Sequence, residues 1–192
     1  MIRVSCLVPA VVFAAVPVFA QGGGQGAPQK ITLVTTLQRG YAAVKTNLTQ
    51  EADKMPEADY GFKPSSMPEV RPFSSLFGHV ANAQFATCAV LKGVPNPNQG
   101  NNLEQKTAKA DVVKALADSF AFCDDAYSSL TTDDNLLQMI KQGQNEVTRA
   151  AALMGLIVHG NEMYGTGAVY LRAKGIVPPT TERMQGRGRG GE

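Results

Sequence analysis

The chain is 192 residues long, 44% hydrophobic, and carries 18 Lys plus Arg against 16 Asp plus Glu. A chain of that length makes one domain able to bury its own core without staples. From residue 21 to residue 179 the balance is fourteen basic to fourteen acidic residues, which leaves no electrostatic case for nucleic acid or an anionic membrane surface as a partner.

The first twenty residues, "MIRVSCLVPAVVFAAVPVFA", place one cation at Arg3 before an apolar run that ends in Val18-Phe19-Ala20. That pattern predicts a secretory signal peptide over 1–20, cut after Ala20. Pro9 and Pro17, with no basic stop-transfer flank, argue against a spanning helix. The mature protein is expected in the periplasm or secreted, with no stable membrane insertion after cleavage. Residues 21–28, "QGGGQGAP", read as a flexible leader.

Val34, Leu37, Tyr41, Val44, Leu48 and Met55 recur at helical intervals, predicting a first helix over 29–54 that stops at Pro56. A loop with four prolines follows, and Ser74 or Ser75 is placed to cap a second helix. Its Leu76, His79, Ala83, Ala86 and Val90 step inward until Gly93. A third helix over 106–130 lines up Val113, Leu116, Phe120, Cys123, Tyr127 and Leu130. "TTDDN" starts a short helical turn at 133–140, and a fourth helix spans 144–174 with Val147, Ala151, Met154 and Val158 inward. Gly175 closes it and Pro178-Pro179 forbid continuation. No run alternates convincingly with period two, so the fold is predicted as all-α: a four-helix bundle over 29–180, with loops long enough for non-sequential neighbours. The Gly/Arg-rich residues 181–192 read as a disordered tail.

Two cysteines survive processing. Cys88 and Cys123 each fall midway along their helices, so antiparallel neighbours would bring the sulfurs level, and an oxidising compartment would then join them as a disulfide. The alternative is a pair of buried thiols acting as small apolar residues.

The mature chain has two histidines, His79 and His159, both at inward-leaning helical positions. Side chains from different helices meet in a bundle core, where such folds build metal sites. Glu162 and Met163 follow His159 by three and four residues and share its face. Carboxylate suits zinc, iron, nickel or manganese, whereas a thioether suits copper(I) and binds zinc poorly, so Glu162 is the expected third ligand. Hydrogen bonding to backbone or hydroxyls is the competing account of two such histidines.

The segments "ADKMPEADYGFKPSSMPEVRPFSSLFGHVANAQFATCAVLKG" and "HGNEMYGTGAVYLRAKGIVPP" resemble the DinB-like (DinB/YfiT) superfamily, in particular its exported branch, over residues 30 to 180. The resemblance implies a divalent metal such as zinc or nickel held by a histidine of the second helix and an H-x-x-x-H pair on the last. His79 matches the first ligand and His159 the first of the pair; the second falls on Met163, a departure from the pattern. Tyr164, Tyr170 and Arg172 match the family's ending, and Gly165 and Gly167 are expected to permit close helix approach.

Two functional expectations follow. One is a metal-dependent hydrolase or transferase acting on a small-molecule substrate; the other is a non-catalytic binding or envelope stress protein that has lost its metal. Related bundles pair through helix faces, so a homodimer is compatible with either. Export counts against the family's thiol-dependent transfer, because it removes the protein from cytosolic low-molecular-weight thiols.

Overall fold

The structure is a computed structural model that describes residues 30–189; the signal peptide and leader expected over 1–28 lie outside them. Thr32 opens α1 (Leu33–Lys54) with a reciprocal capping box to Thr35. The apolar stripe is buried as the spacing predicted, from Val34 through Leu48 to Met55. At its far end the carbonyls of Asp53 and Met55 accept hydrogen bonds from Lys109 Nζ at 2.7 and 2.9 Å.

The second helix, α2 (Phe73–Lys92), begins after Pro72 rather than on a serine cap. Proline supplies the extended entry, while Ser74 and Ser75 are buried in the first turn. Its core face is Phe73, Phe77, Val80, Cys88 and Leu91; of the expected stripe Leu76 is buried, His79, Ala83 and Val90 are half-buried, and Ala86 is exposed. The difference arises because α2 packs on both α3 (Lys109–Ser128) and α4 (Arg149–Ala173) and is buried around most of its circumference, so no narrow stripe marks the inside. The α1 helix also packs on α3 and α4, which puts α1 and α2 on a diagonal of the bundle. Cys88 and Cys123 stand at bonding distance with their Cα atoms 5.4 Å apart, joining α2 to α3.

Between α3 and α4 the chain departs from the helical reading. Thr132 caps a 3-10 turn over Asp133–Leu137, and β1 (Met139–Gln142) then pairs antiparallel with β2 (Asn145–Thr148), with Gln142 opposite Asn145. Gly143 has φ 62° and Gln144 a negative φ, the combination of a two-residue hairpin turn with glycine in first place. Four residues per strand are too few to show period two in the sequence. Thr148 caps α4 through a hydrogen bond from the Ala151 amide, 3.2 Å.

On α4 the expected inward residues were also displaced. Met154 and Val158 are 42% and 59% exposed, while Ala152, Leu153 and Ile157 are buried. The helix is apolar on every side, so period alone could not orient it. Gly175, φ 75°, ends it with Gly175 N–H on Arg172 C=O and Ile176 N–H on Leu171 C=O, both 2.9 Å. The tail expected to be disordered from 181 continues instead as α5 (Pro179–Arg189). It is docked by Tyr164, whose hydroxyl lies 2.8 Å from Thr180 Oγ1 and accepts from the Thr180 amide.

Sequence spacing gave no hint of Glu51. Its side chain is fully buried on α1 and neither carboxyl oxygen has a hydrogen-bond partner. It fits because Gly167 of α4 has no side chain: a Cβ there would stand 2.6 Å from Glu51 Oε2. Burial raises the Glu51 pKa from the ordinary 4.5 to about 9, against a smaller opposing pull from Arg172. The folded protein therefore holds the proton where the unfolded chain has released it. Stability is full below about pH 4.5 and falls as pH rises toward about 9, by at most about 1.4 kcal/mol per pH unit. Denaturant titrations of the native chain and Glu51→Gln at pH 5, 7 and 8.5 should show that slope in the native chain only; equal slopes would contradict a protonated Glu51.

Candidate metal centre

Two contacts fix how α4 lies on α2. Tyr170, near the end of α4, donates its hydroxyl to the Arg71 carbonyl just before α2, 2.7 Å. His159, midway along α4, meets His79 with ring centroids 4.9 Å apart and planes at 72°. The helices therefore run antiparallel, and the two imidazoles separated by 80 positions in sequence share one point of the α2–α4 seam. At about 100° per residue, positions 159, 163 and 170 fall within about 40° of one another on α4. Met163, 9% exposed, lies about 40° from His159 on one side and about 40° from Gly167, which meets Glu51 of α1, on the other, so it is buried in the core between α1 and α2.

His79 is held from behind. Glu104, on the 3-10 turn Leu103–Gln105, puts Oε1 2.8 Å from His79 Nδ1, while its Oε2 accepts from Arg71 Nε at 3.0 Å and Ser75 Oγ at 3.3 Å. Burial pushes the Glu104 carboxyl up, but the hydrogen bonds from His79 and Arg71 outweigh it and hold the pKa below the ordinary carboxylate value. An ionised carboxylate only accepts, so the His79 nitrogen that faces it, Nδ1, carries a proton.

The loop reaches His79 because Gly78 precedes it: a Cβ at Gly78 would collide with the Leu103 carbonyl oxygen and the backbone around it. Sequence reasoning missed Glu104 and Arg71, since a charged residue in a polar loop carries no periodic signal. The one available clue was a glycine inside a helix beside a candidate ligand.

His159 differs. Its Nδ1 is 3.7 Å from Glu162 Oε2, an electrostatic contact longer than a hydrogen bond. Its Nε2 is buried with no hydrogen-bond partner. Burial first, and then the neighbouring His79, hold its pKa below the ordinary histidine value, with Glu162 partly opposing. The ring is thus mainly neutral at pH 7, and its buried Nε2 is unsatisfied in either tautomer.

A cleft of about 350 Å³ opens beside the two rings and is walled by small residues, Ala83, Ala151, Ala152 and Gly155. Its polar atoms beyond the histidines come from Thr87 of α2 and from Gln142 of the hairpin.

A buried imidazole nitrogen without a partner is unusual, because such groups are nearly always satisfied, and a metal ion is what neutral imidazole most often ligates. His79 and His159 fit an ion on that ground. Glu162, the expected third ligand, is 68% exposed and approaches the Nδ1 side of the ring, not the orphaned Nε2. Among the described residues no group of three His, Cys, Asp or Glu side chains gathers to hold a metal ion. Of the remaining residues expected from the resemblance, Tyr164 and Arg172 face α5, the latter through Thr181 Oγ1 at 3.3 Å. Gly165 has open space beside it, while Gly167 and Gly160 are the close-approach glycines, against Glu51 and Val44.

The model of the DinB superfamily matches residues 41–165, and the chain belongs to that superfamily. It is similar to a DinB-like protein of Bacillus cereus at 15% identity and TM-score 0.63, over 74% of this chain and 93% of that one. A DinB-like protein of Bacillus subtilis is similar at 18% identity and TM-score 0.55, over 73% and 92%. At those identities the likeness shows the all-α bundle and nothing finer. Among curated proteins none matches.

The glycine contacts yield a paired test of the His79 support. In Gly78→Ala the turn at Leu103–Gln105 must move away. The slowly exchanging His79 Nδ1 proton seen by NMR should disappear, with a stability loss of about 1–3 kcal/mol. Gly155→Ala, where a Cβ meets nothing within 4 Å, should keep that proton and gain up to about 1 kcal/mol.

Proposed function

We propose that this protein is an exported member of the DinB superfamily that binds a transition-metal ion between His79 and His159 and admits a small molecule to the adjoining cleft. The observation that carries the reading is the buried, unpartnered Nε2 of His159. Export is supported by the signal-peptide pattern of residues 1–20 and by the Cys88–Cys123 bridge, since disulfides persist in oxidising compartments and are rare in the cytosol.

A bound ion would act as a Lewis acid toward a substrate oxygen. The chain supplies the rest. Glu104 keeps the proton of His79 on Nδ1, so that Nε2 stays available, and Arg71 keeps Glu104 ionised. Thr87 and Gln142 offer a hydroxyl and an amide to orient a substrate, and Ala83, Ala151, Ala152 and Leu156 offer it an apolar wall. Hydrolysis, or group transfer that does not draw on cytosolic thiols, suits this arrangement. A non-catalytic binding or envelope stress role is the second reading, favoured by the replacement of the third imidazole with Met163.

Protein purified from the periplasm without a metal-binding tag should contain about one transition-metal ion per chain, and His159→Ala should lose it. A metal-free native protein would overturn the reading. The same preparation, denatured without reductant, should give no thiol reaction at Cys88 or Cys123; two reactive thiols would argue against both bridge and export.

A further inference from the structure

We propose a second ligand site, sharing no residue with the histidine cleft: an opening between α3 and the loop that joins α2 to α3, which takes a free α-amino acid with an aromatic side chain. The site is independent of the metal reading and holds whether or not an ion sits at the histidines.

The first observation is the floor. Ala81, Phe85, Leu103 and Ala115 form a small apolar cluster of their own, with the half-buried Phe122 packed on it. The rings of Phe85 and Phe122 lie 5.6 Å apart at 45°. A cleft of about 510 Å³ opens over Phe85, Leu103, Ala115 and Phe122, a size typical of small-molecule sites. An aromatic ring entering it covers apolar surface that the chain leaves against water.

The second is a wall set before any ligand arrives. Asn82 of α2 pins the loop: its Oδ1 accepts from the Leu103 amide at 3.2 Å and from Asn98 Nδ2 at 3.0 Å, and its Nδ2 donates to Asn102 Oδ1 at 3.1 Å. Asn98 Nδ2 also donates to the Asn101 carbonyl at 2.7 Å. Both hydrogens of that amide are thus committed, and Asn98 Oδ1, on a residue that lines the cleft, is an acceptor without a partner among the described residues. A wall fixed in advance loses little freedom when a ligand binds.

The third is the charge on the rim. Lys114 and Asp118 neutralise each other at 2.6 Å. Lys106, half-buried, and Asp111, exposed, also line the cleft, and neither side chain has a hydrogen-bond or ion-pair partner among the described residues. The cleft therefore presents a free cation and free acceptors beside an aromatic floor. An α-amino acid answers each of them: its carboxylate suits Lys106, its ammonium, which only donates, suits Asp111 and Asn98 Oδ1, and its ring suits the floor. An acid without an amine leaves Asp111 unanswered, and an amine without an acid leaves Lys106 unanswered.

The test titrates the isotope-labelled, disulfide-intact protein with L-phenylalanine, phenylpropionate, phenylethylamine and glycine, read by amide NMR. L-phenylalanine should give saturable shifts at the Leu103 and Ala115 amides with a Kd of about 0.1–1 mM. Phenylpropionate and phenylethylamine should each bind at least about fivefold more weakly, and glycine should not bind. Lys106→Gln should weaken L-phenylalanine by about fivefold and leave phenylethylamine unchanged. Asp111→Asn should weaken L-phenylalanine and phenylethylamine and leave phenylpropionate no weaker. The amide spectrum of each variant checks its fold.

Absence of saturation below about 10 mM, saturable shifts confined to amides outside this cleft, or phenylpropionate or phenylethylamine binding as tightly as L-phenylalanine would overturn the proposal.

Discussion

Close approach at glycine, of a loop backbone at Gly78 and of α1 side chains at Gly160 and Gly167, is the constraint on which this site depends. Gly78 lets the turn at Leu103–Gln105 lie against α2, and that contact delivers Glu104 to His79. Gly160 and Gly167 let α1 settle against α4 over Val44 and Glu51, which fixes the rotation of α4 and with it the direction of His159 and Met163. A mid-helix glycine costs about 1 kcal/mol relative to alanine. At these three positions the cost is offset by packing that no larger residue allows.

Among the described residues two buried polar side chains, Glu51 and His159, have atoms without partners, and physical chemistry treats them differently. The Glu51 carboxyl answers burial by keeping its proton, and in that neutral form it tolerates an apolar seam between α1 and α4. His159 is already neutral, so protonation offers no relief for Nε2. The same burial thus leaves a neutral acid on the α1 side of α4 and an unsatisfied imidazole nitrogen on the α2 side.

Much of this was legible in the sequence where one face of a helix was distinct. The α1 stripe and the α3 stripe were readable because each carries polar residues on its far side; the bridge between Cys88 and Cys123 followed from their level positions on neighbouring helices. Along α2 and α4 the apolar residues continue around the helix, so periodicity could not separate Ala152, Leu153 and Ile157 from Met154 and Val158. The hairpin at 139–148 was too short to announce itself, yet it brings Gln142 into the cleft. Glu104 was invisible for a further reason: its role depends on where a loop lies, which is decided by a glycine 26 positions earlier.

The departure at Met163 gains meaning from this geometry. A family ligand position that had merely drifted would be free to take any apolar side chain that fills the α2–α4 seam, and leucine packs there as well as methionine. Methionine fills the same volume as leucine and also carries a thioether sulfur. It sits on α4 between His159 and Tyr170, which meet α2 and its entry, and Gly167, which meets Glu51 of α1. Packing at residue 163 therefore sets the volume of its side chain, and the thioether meets that demand with or without an ion at the histidines.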